Sequence, residues 1–430
     1  MNNLKKGSKK LLNAWAFYDW ANSVYVLVIT SAIFPLFYAT LFSENKNINV
    51  FNFTISNTAL ITFVTAFAFL VVAFLTPILS GIADYIGNKK KFMQLFCYMG
   101  GFSCIGLYFF DLQHIYISLL FYFFGLIGYW GSLVFYNSYL PDIAKKNQQD
   151  DLSARGFIMG YIGSVILLVI CLFIIIGKDG QEAVNAMRLS FTLTGIWWMV
   201  FAQYTFHYLP NGNQNSQKIT KSILLNGFKE LLKVKNQLFK NLILKRYLIA
   251  FFVFSMAVQT VMLVATYFGE KEIIWQSDSQ KTMGLITSIL LIQLVAILGA
   301  YLTSKASDKF GNIPTLIVIN AIWLMLCICA YFVTLPIHFY ITAGFVGLVM
   351  GGIQALSRST YSKFLPETED TASYFSFYDV SEKIGIVIGM SIYGVIDQVT
   401  GSMRNAIVFL GLFFLIGLIL LLRVPKKIIQ

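Results

Sequence analysis

The chain runs to 430 residues, 57% hydrophobic, 16% aromatic and only 12% charged, with a mean hydropathy of +0.70. Soluble globular chains carry about 25% charged residues, so this one has too little polar surface for a soluble enzyme, a nucleic-acid-binding domain or a disordered scaffold. The net charge of +12 has to be located before it can be read as a surface for polyanions.

The apolar residues fall in blocks close to the ~20 residues a helix needs to cross a ~30 Å hydrocarbon layer. Twelve spans are predicted, near 14–42, 54–80, 92–110, 115–140, 156–176, 189–209, 247–268, 282–304, 313–333, 338–364, 374–396 and 403–423. The expected fold class is thus an all-α membrane protein. Lys5, Lys6, Lys9 and Lys10 precede a first span too long for a secretion signal, with no small-residue cleavage site behind it, so the span is expected to be retained. With the N-terminus in the cytoplasm, 26 of the 32 Lys and Arg fall in cytoplasmic segments, leaving Lys46, Lys178, Arg188, Lys271, Lys281 and Arg404 outside. This asymmetry follows the positive-inside rule, predicts cytoplasmic termini in the cell (inner) membrane, and accounts for the basic excess without nucleic acid. Cys97, Cys104, Cys171, Cys327 and Cys329 lie inside spans. An odd count with no His at ligand spacing predicts buried thiols, with neither disulfide nor metal, and no cofactor motif is present.

Between spans 6 and 7, residues 210–246 open with Pro210-Asn211-Gly212 and turn basic and amphipathic. Leu224, Phe228, Leu231, Leu232, Leu238 and Leu242 recur at helical spacing among Lys229, Lys233, Lys235 and Lys240, predicting a linker helix on the inner membrane surface. It divides two six-span halves, 1–209 and 247–430. An internal repeat supports the division: Gly81-Ile-Ala-Asp84-Tyr-Ile-Gly87-Asn after span 2 returns as Ser304-Lys-Ala-Ser-Asp308-Lys309-Phe-Gly311-Asn312 after span 8, at a lag of 224. Tyr139-Leu-Pro141-Asp142 likewise returns as Phe364-Leu-Pro366-Glu367. Parallel repeats of this kind place a substrate site between halves near the midplane.

The two Asp-x-x-Gly loops resemble the signature loop of the major facilitator superfamily, so a major facilitator fold of two pseudo-symmetric halves is expected. Gly87 and Gly311 allow the tight turn, while Asp84 and Asp308 can each face the positive N-terminus of a helix in the other half, latching one side shut. For Asp84 the expected partner is the start of span 11, near Thr371–Ser373. Tyr85 departs from the usual basic residue, whereas Lys309 keeps it.

Ionisable and polar residues inside spans mark a solute path, because charge in lipid costs at least ~2.5–3.5 kcal/mol. On span 1, Asp19, Asn22, Val26 and Thr30 share a face with Ser23 beside them; span 4 offers Tyr136 and Asn137, span 7 Gln259, and span 10 Gln354 and Arg358. The superfamily resemblance implies that these four spans line the central cavity. Span 11 carries the densest cluster, Asp379, Glu382 and Lys383, the first two sharing a face and Lys383 one turn beyond Asp379. Arg358 is expected to pair with Asp379 or Glu382, with Asp19 as the alternative. Asp19 and Glu382 are the candidate proton carriers, since a carboxylate that can lose its charge is the minimum equipment for proton coupling.

A closer resemblance rests on Trp15-Ala-Phe-Tyr18-Asp19-Trp20-Ala-Asn22-Ser23, Ser153-Ala-Arg155-Gly-Phe157, Trp197-Trp198 and Gly352-Ile-Gln354-Ala-Leu-Ser357-Arg358-Ser359. These segments resemble the "unknown major facilitator" family, bacterial proteins similar to fungal autophagy-related vacuolar amino-acid effluxers. One departure is Met256-Ala257 ahead of Val258-Gln259-Thr260, where many members carry Asp-Gly. The resemblance implies a secondary transporter exporting a small polar solute, amino acids among the candidates, with the proton as coupling ion. The full-length repeat suggests that one chain in the bilayer suffices. A broad exporter of amphipathic drugs, or a sensor or scramblase without solute turnover, remain as alternatives. No phosphate-binding loop or nucleophile–base pair is present, so neither ATP-driven transport nor catalysis is expected.

Overall fold

The computed structural model describes residues 4–42, 47–50, 53–211 and 223–425. Span 1 combines α1 (Lys9–Val24), a π-helical stretch (Tyr25–Ala32) and α2 (Ile33–Leu41). Pro35 in α2 has no N–H to return to the preceding turn, and the wide turns before it, closed by the Ile33 N–H on Val28 O, take up the misfit. An antiparallel hairpin of β1 (Asn47–Val50) and β2 (Phe53–Ser56) follows, with Asn47 opposite Ser56 and Val50 opposite Phe53. The rest of the described fold is helical, as expected for an all-α membrane protein, and span 2 starts later than predicted. The run is rich in β-branched and aromatic residues, and Ser56 Oγ then caps α3 (Asn57–Ile86) by accepting from Ala59 N at 3.3 Å.

The remaining helices are α4 (Lys89–Gly106), α5 (Ile115–Ser138), the single turn α6 (Leu140–Ile143), α7 (Gln149–Ile175), α8 (Gly180–Tyr208), α9 (Ile223–Lys240), α10 (Leu242–Glu272), α11 (Asp278–Phe310), α12 (Asn312–Ala330), α13 (Pro336–Phe364), α14 (Thr371–Thr400) and α15 (Met403–Leu422). Among the described residues eleven spans are long and apolar enough to cross a membrane, and α8, with Glu182 and Arg188 in its first turns, is the less apolar twelfth. Several helices outrun the apolar blocks that announce them because their ends continue into polar caps, as where Ser277 Oγ accepts from Gln280 N at the start of α11. The start of α1 and the end of α15 lie at one face of the bundle, the termini face, where the Gly7 N–H donates to Ile143 O and Arg246 Nη1 to Arg423 O.

The principal pairings of the first six spans recur in the last six. α1 packs on α7 and α8 as α10 packs on α14 and α15; α4 meets α5 and α8 as α12 meets α13 and α15; α3 lies on α5 as α11 lies on α13. Between the sets, α14 touches α3 and α5, and α7 touches α11 and α13. Two apolar cores result, one around Trp15, Phe96 and Trp198, the other around Tyr247, Trp323 and Phe414. Glycine sets the closest approaches: a Cβ on Gly351 of α13 would stand 2.3 Å from Ala296 O of α11. Phe63, Phe67 and Phe74 of α3 point outward, as a lipid-facing surface requires. Cys97, Cys104, Cys171 and Cys327 are buried, but Cys329 is exposed, because residues two apart on a helix face different sides.

Of the linker, residues 212–222 lie outside the described residues, as does the Leu224 side chain. α9 docks on the protein itself. It runs against α3 with Val234 and Leu238 buried, and it reaches the start of α14 through Lys233 on Asp370 at 3.0 Å and the Tyr374 hydroxyl donating to Gln237 Oε1 at 3.1 Å.

Candidate functional site

At the termini face, α3 ends in a left-handed turn at Gly87 (φ +72°), which leaves Asp84 pointing across the divide. Its carboxylate accepts the backbone N–H groups of Ala372 at 3.2 Å and Ser373 at 2.7 Å in the first turn of α14. An acid at a helix N-terminus satisfies donors that have no partner in the helix and meets the positive end of its dipole. Beside it, Lys89 Nζ bonds Thr371 Oγ1 at 2.7 Å and pairs with Asp142. The second loop is built otherwise. Gly311 (φ +89°) ends α11, yet Asp308 and Lys309 are exposed and make no bond to α7 among the described residues; Lys309 lies over the Phe310 ring. The junction there is made from the opposite side: Asp150, in the first turn of α7, accepts from Asn312 Nδ2 at 2.8 Å and Ser307 Oγ at 3.3 Å and pairs with Lys363. A latch through Asp308 and Lys309 therefore has no contact to rest on, and Asp150 takes the place expected of Asp308.

Deeper between the halves lies Arg358, 3% exposed, so each of its donors needs a protein partner. Nε donates to Ser153 Oγ at 2.9 Å, Nη2 to Ser153 O at 2.9 Å, and Nη1 to Asn137 Oδ1 at 3.1 Å. Both Nη atoms also stand 3.5 Å from Asp19 Oδ2. The same Asp19 oxygen accepts the Tyr136 hydroxyl at 2.8 Å. The guanidinium lies 4.3 Å from the ring centre of Phe157 and 4.8 Å from that of Trp15, within cation–π range. All these partners come from the first six spans, while Arg358 belongs to α13. The expected pairing of Arg358 with Asp379 or Glu382 is corrected: its carboxylate is Asp19, because the span-11 acids already share a cation on their own helix.

That cation is Lys383, which donates to Asp379 Oδ1 at 2.8 Å and Glu382 Oε2 at 2.9 Å. Its ammonium sits 3.7 Å from the centre of the Trp130 ring on α5. Gln259 Nε2 donates to Glu382 Oε1 at 2.7 Å, and the Tyr161 hydroxyl to Gln354 Oε1 at 2.9 Å, so Gln259 and Gln354 both border the central contact. Asn22 is buried with Nδ2 unpartnered, and Ser23 Oγ stands 3.4 Å from its Oδ1. Asp19, Tyr136, Asn137 and Arg358 thus form one cluster, Gln259, Asp379 and Glu382 another, with Asn22 and Ser23 one turn beyond Asp19. Ser153, Tyr161, Trp130, Asp150, Asn312 and Lys363 take part without having been singled out as site residues. So does Gly156, where a Cβ would meet Asp19 Oδ2 at 2.5 Å and Arg358 Nη2 at 3.1 Å. Ser153 and Gly156 sat in a recognised motif, but nothing in the sequence pairs Asp150 with Lys363, 213 residues away. A groove of about 470 Å³ lined by Gly299, Leu302, Phe310 and Val318 opens on the outside of α11 and α12; its lining is apolar apart from threonines and includes no residue of either cluster.

The profile of the family described as "Vacuole effluxer Atg22 like" matches residues 7–427. The chain belongs to that family. It is 32% identical over 429 residues to the uncharacterized MFS-type transporter YxiO of Bacillus subtilis (strain 168), covering 99% of this chain and 97% of that one. Autophagy-related protein 22-1 of Aspergillus fumigatus is 26% identical over 302 residues, which span 64% of this chain and 48% of the fungal one. Among solved structures, FucP in its outward conformation matches with a TM-score of 0.71 at 13% identity, over 97% of this chain and 99% of that one. The proton:xylose symporter XylE matches at 0.72 and 12%, over 97% and 96%. This Atg22-like chain is accordingly a multi-pass membrane transporter with the twelve-helix major facilitator fold, and not an enzyme.

Proposed function

We propose that the chain exports a small zwitterion, an amino acid or a solute of similar charge pattern, by alternating access driven by the proton gradient. The observation that carries this reading is the Arg358–Asp19 pair, buried between the two sets of helices and held at 3.5 Å, the outer limit of a hydrogen bond. A solute carboxylate can take the guanidinium while its ammonium takes Asp19, so a zwitterion replaces the pair without leaving either charge unpaired. The aromatic walls from Trp15, Phe157 and Tyr136 suit a compact solute. Efflux agrees with the family's description, and YxiO carries the likeness over nearly the full length.

In this reading residues 1–209 and 247–430 are the rocking halves, 210–246 links them, both termini lie in the cytoplasm of a cell-membrane protein, and one chain is the working unit. The described hydrogen bonds between the halves, from Asp84 to Tyr161–Gln354, lie toward the termini face, which supports reading this arrangement as the one closed to the cytoplasm when the termini lie there. The test is counterflow of labelled amino acids in proteoliposomes. Wild type is expected to show saturable exchange and Arg358→Ala to lose it about a hundredfold, as truncating a buried hydrogen-bonded charge costs roughly 2–5 kcal/mol. Equal exchange by the two proteins sinks the site; no exchange of any amino acid by wild type sinks the solute class.

A further inference from the structure

Among the described residues, five side chains of Asp, Glu, Lys or Arg lie in the membrane interior between the termini-face junctions and the far face: Asp19, Arg358, Asp379, Glu382 and Lys383. With all five charged they sum to one excess negative charge, and that excess belongs to α14, where one lysine serves two acids. Around the mid-length of α14, its neighbours α3, α5, α10 and α15 bring no further charge among the described residues; they offer Trp130 and Tyr129 from α5 and Gln259 from α10. Asp379 Oδ2 is buried and has no hydrogen-bond partner among the described residues.

We infer that Asp379, Glu382 and Lys383 form the proton-carrying site of the transport cycle, separate from the Arg358–Asp19 solute site. This rests on the transport reading above. One proton on the acid pair cancels the excess charge. It comes from water on the acidic side, binds an acid oxygen, and leaves to the other side after the halves have rocked. Lys383 keeps a carboxylate partner in either state, so loading does not orphan the ammonium, and the unpartnered Asp379 oxygen is the atom a proton would neutralise. The Trp130 ring ties the site to the rocking motion. It belongs to the first set of helices, so Lys383 must leave it when the halves part on this side, and the attraction between a cation and a ring face is lost with it. The assignment moves proton coupling away from Asp19, whose carboxylate is committed to Arg358 and the solute ammonium.

The experiment uses purified full-length protein in liposomes containing a pH-sensitive dye, with labelled amino acids as the solute probe. Asp379→Asn and Glu382→Gln, each made alone so that Lys383 keeps one carboxylate, should retain counterflow, which moves no net proton, within about twofold, and lose pH-gradient-driven flux and dye response about tenfold or more. Counterflow of each variant should also become flat across pH 5.5–8. Glu382→Gln, at the more accessible acid, gives the same split if Asp379→Asn does not fold. Gradient-driven flux unchanged in a folded variant overturns the assignment, as does flux that follows a sodium gradient and ignores pH. Loss of counterflow together with coupling places these acids in the solute site and likewise overturns it. Absence of both activities in wild type is a different outcome, since it removes the transport reading itself.

Discussion

The two termini-face junctions are related by the internal repeat, yet they are made with different chemistry. Where α3 meets α14, a carboxylate receives two backbone N–H groups at a helix start. Where α11 meets α7, the helix start supplies the carboxylate itself, and Asp150 is answered by Lys363 and by the Asn312 amide. The first junction joins a side chain to a backbone, with Lys89 on the Thr371 hydroxyl beside it, so it opens by parting one acid from a helix end and breaking one hydrogen bond to a neutral acceptor. The second is an ion pair with a satisfied amide, in which Asp150 is 3% exposed, so parting it strands a charge. A repeat therefore conserves where the halves touch, while each contact is free to change how. The difference also suggests that the α3–α14 side is the easier one to release.

The largest effect should come from breaking the ion-pair junction. Asp150→Ala is expected to cost roughly 3–5 kcal/mol, the range for removing one partner of a buried pair, seen as a lower unfolding temperature in detergent. Asp150→Leu with Lys363→Met should recover part of that loss, because the stranded charge is then gone. A single variant as stable as wild type would mean that water reaches Lys363, and the contrast between the junctions would fall.

Asp84→Asn should act next most strongly, with about 1.5–3 kcal/mol lost for a charge-assisted pair of bonds. The readout is local: backbone amides at Ala372 and Ser373 should exchange hydrogen about tenfold faster or more. The α7–α11 side should stay unchanged, because its bonds share no residue with this one. Lys233→Ala should weaken the same side by ~0.2–1 kcal/mol, since the lysine of the Lys233–Asp370 pair is half-exposed to water, and should speed exchange within α9.

Much of this was legible in the chain. Periodicity gave twelve spans because the hydrocarbon layer dictates length, and Asp84 met the start of span 11 because a repeat fixes both loop and partner helix. The polar stripe of Asp19 and the isolated Arg358 were visible as charges out of place, but their pairing was not. Choosing among three acids at similar depth requires helix rotation, which the sequence does not give, and the lack of a side chain at Gly156 leaves the room in which Asp19 and Arg358 meet. Asp150 was hidden for another reason: it sits in a polar loop stretch where an acid draws no attention, and only the fold brings Lys363 to it. The hairpin at Asn47–Ser56 was missed because most of it fell in the connection between spans 1 and 2, and its last residues, 54–56, were read as the start of span 2.

Asp308 sharpens the comparison most with the smallest effect. The repeat makes it the counterpart of Asp84, but its side chain is exposed and has no bond to α7 among the described residues. Asp308→Ala should therefore change unfolding temperature and amide exchange at Gln149–Ser153 by no more than a surface substitution does, within about 0.5 kcal/mol. Counterflow by the same variant is the more searching measurement. If exchange slows while stability holds, Asp308 makes its contact only after the halves have rocked, and the two loops work in alternate states. If exchange also holds, Asp150 has taken over the role in full, and the aspartate that the repeat preserves in the second loop serves no latch at all.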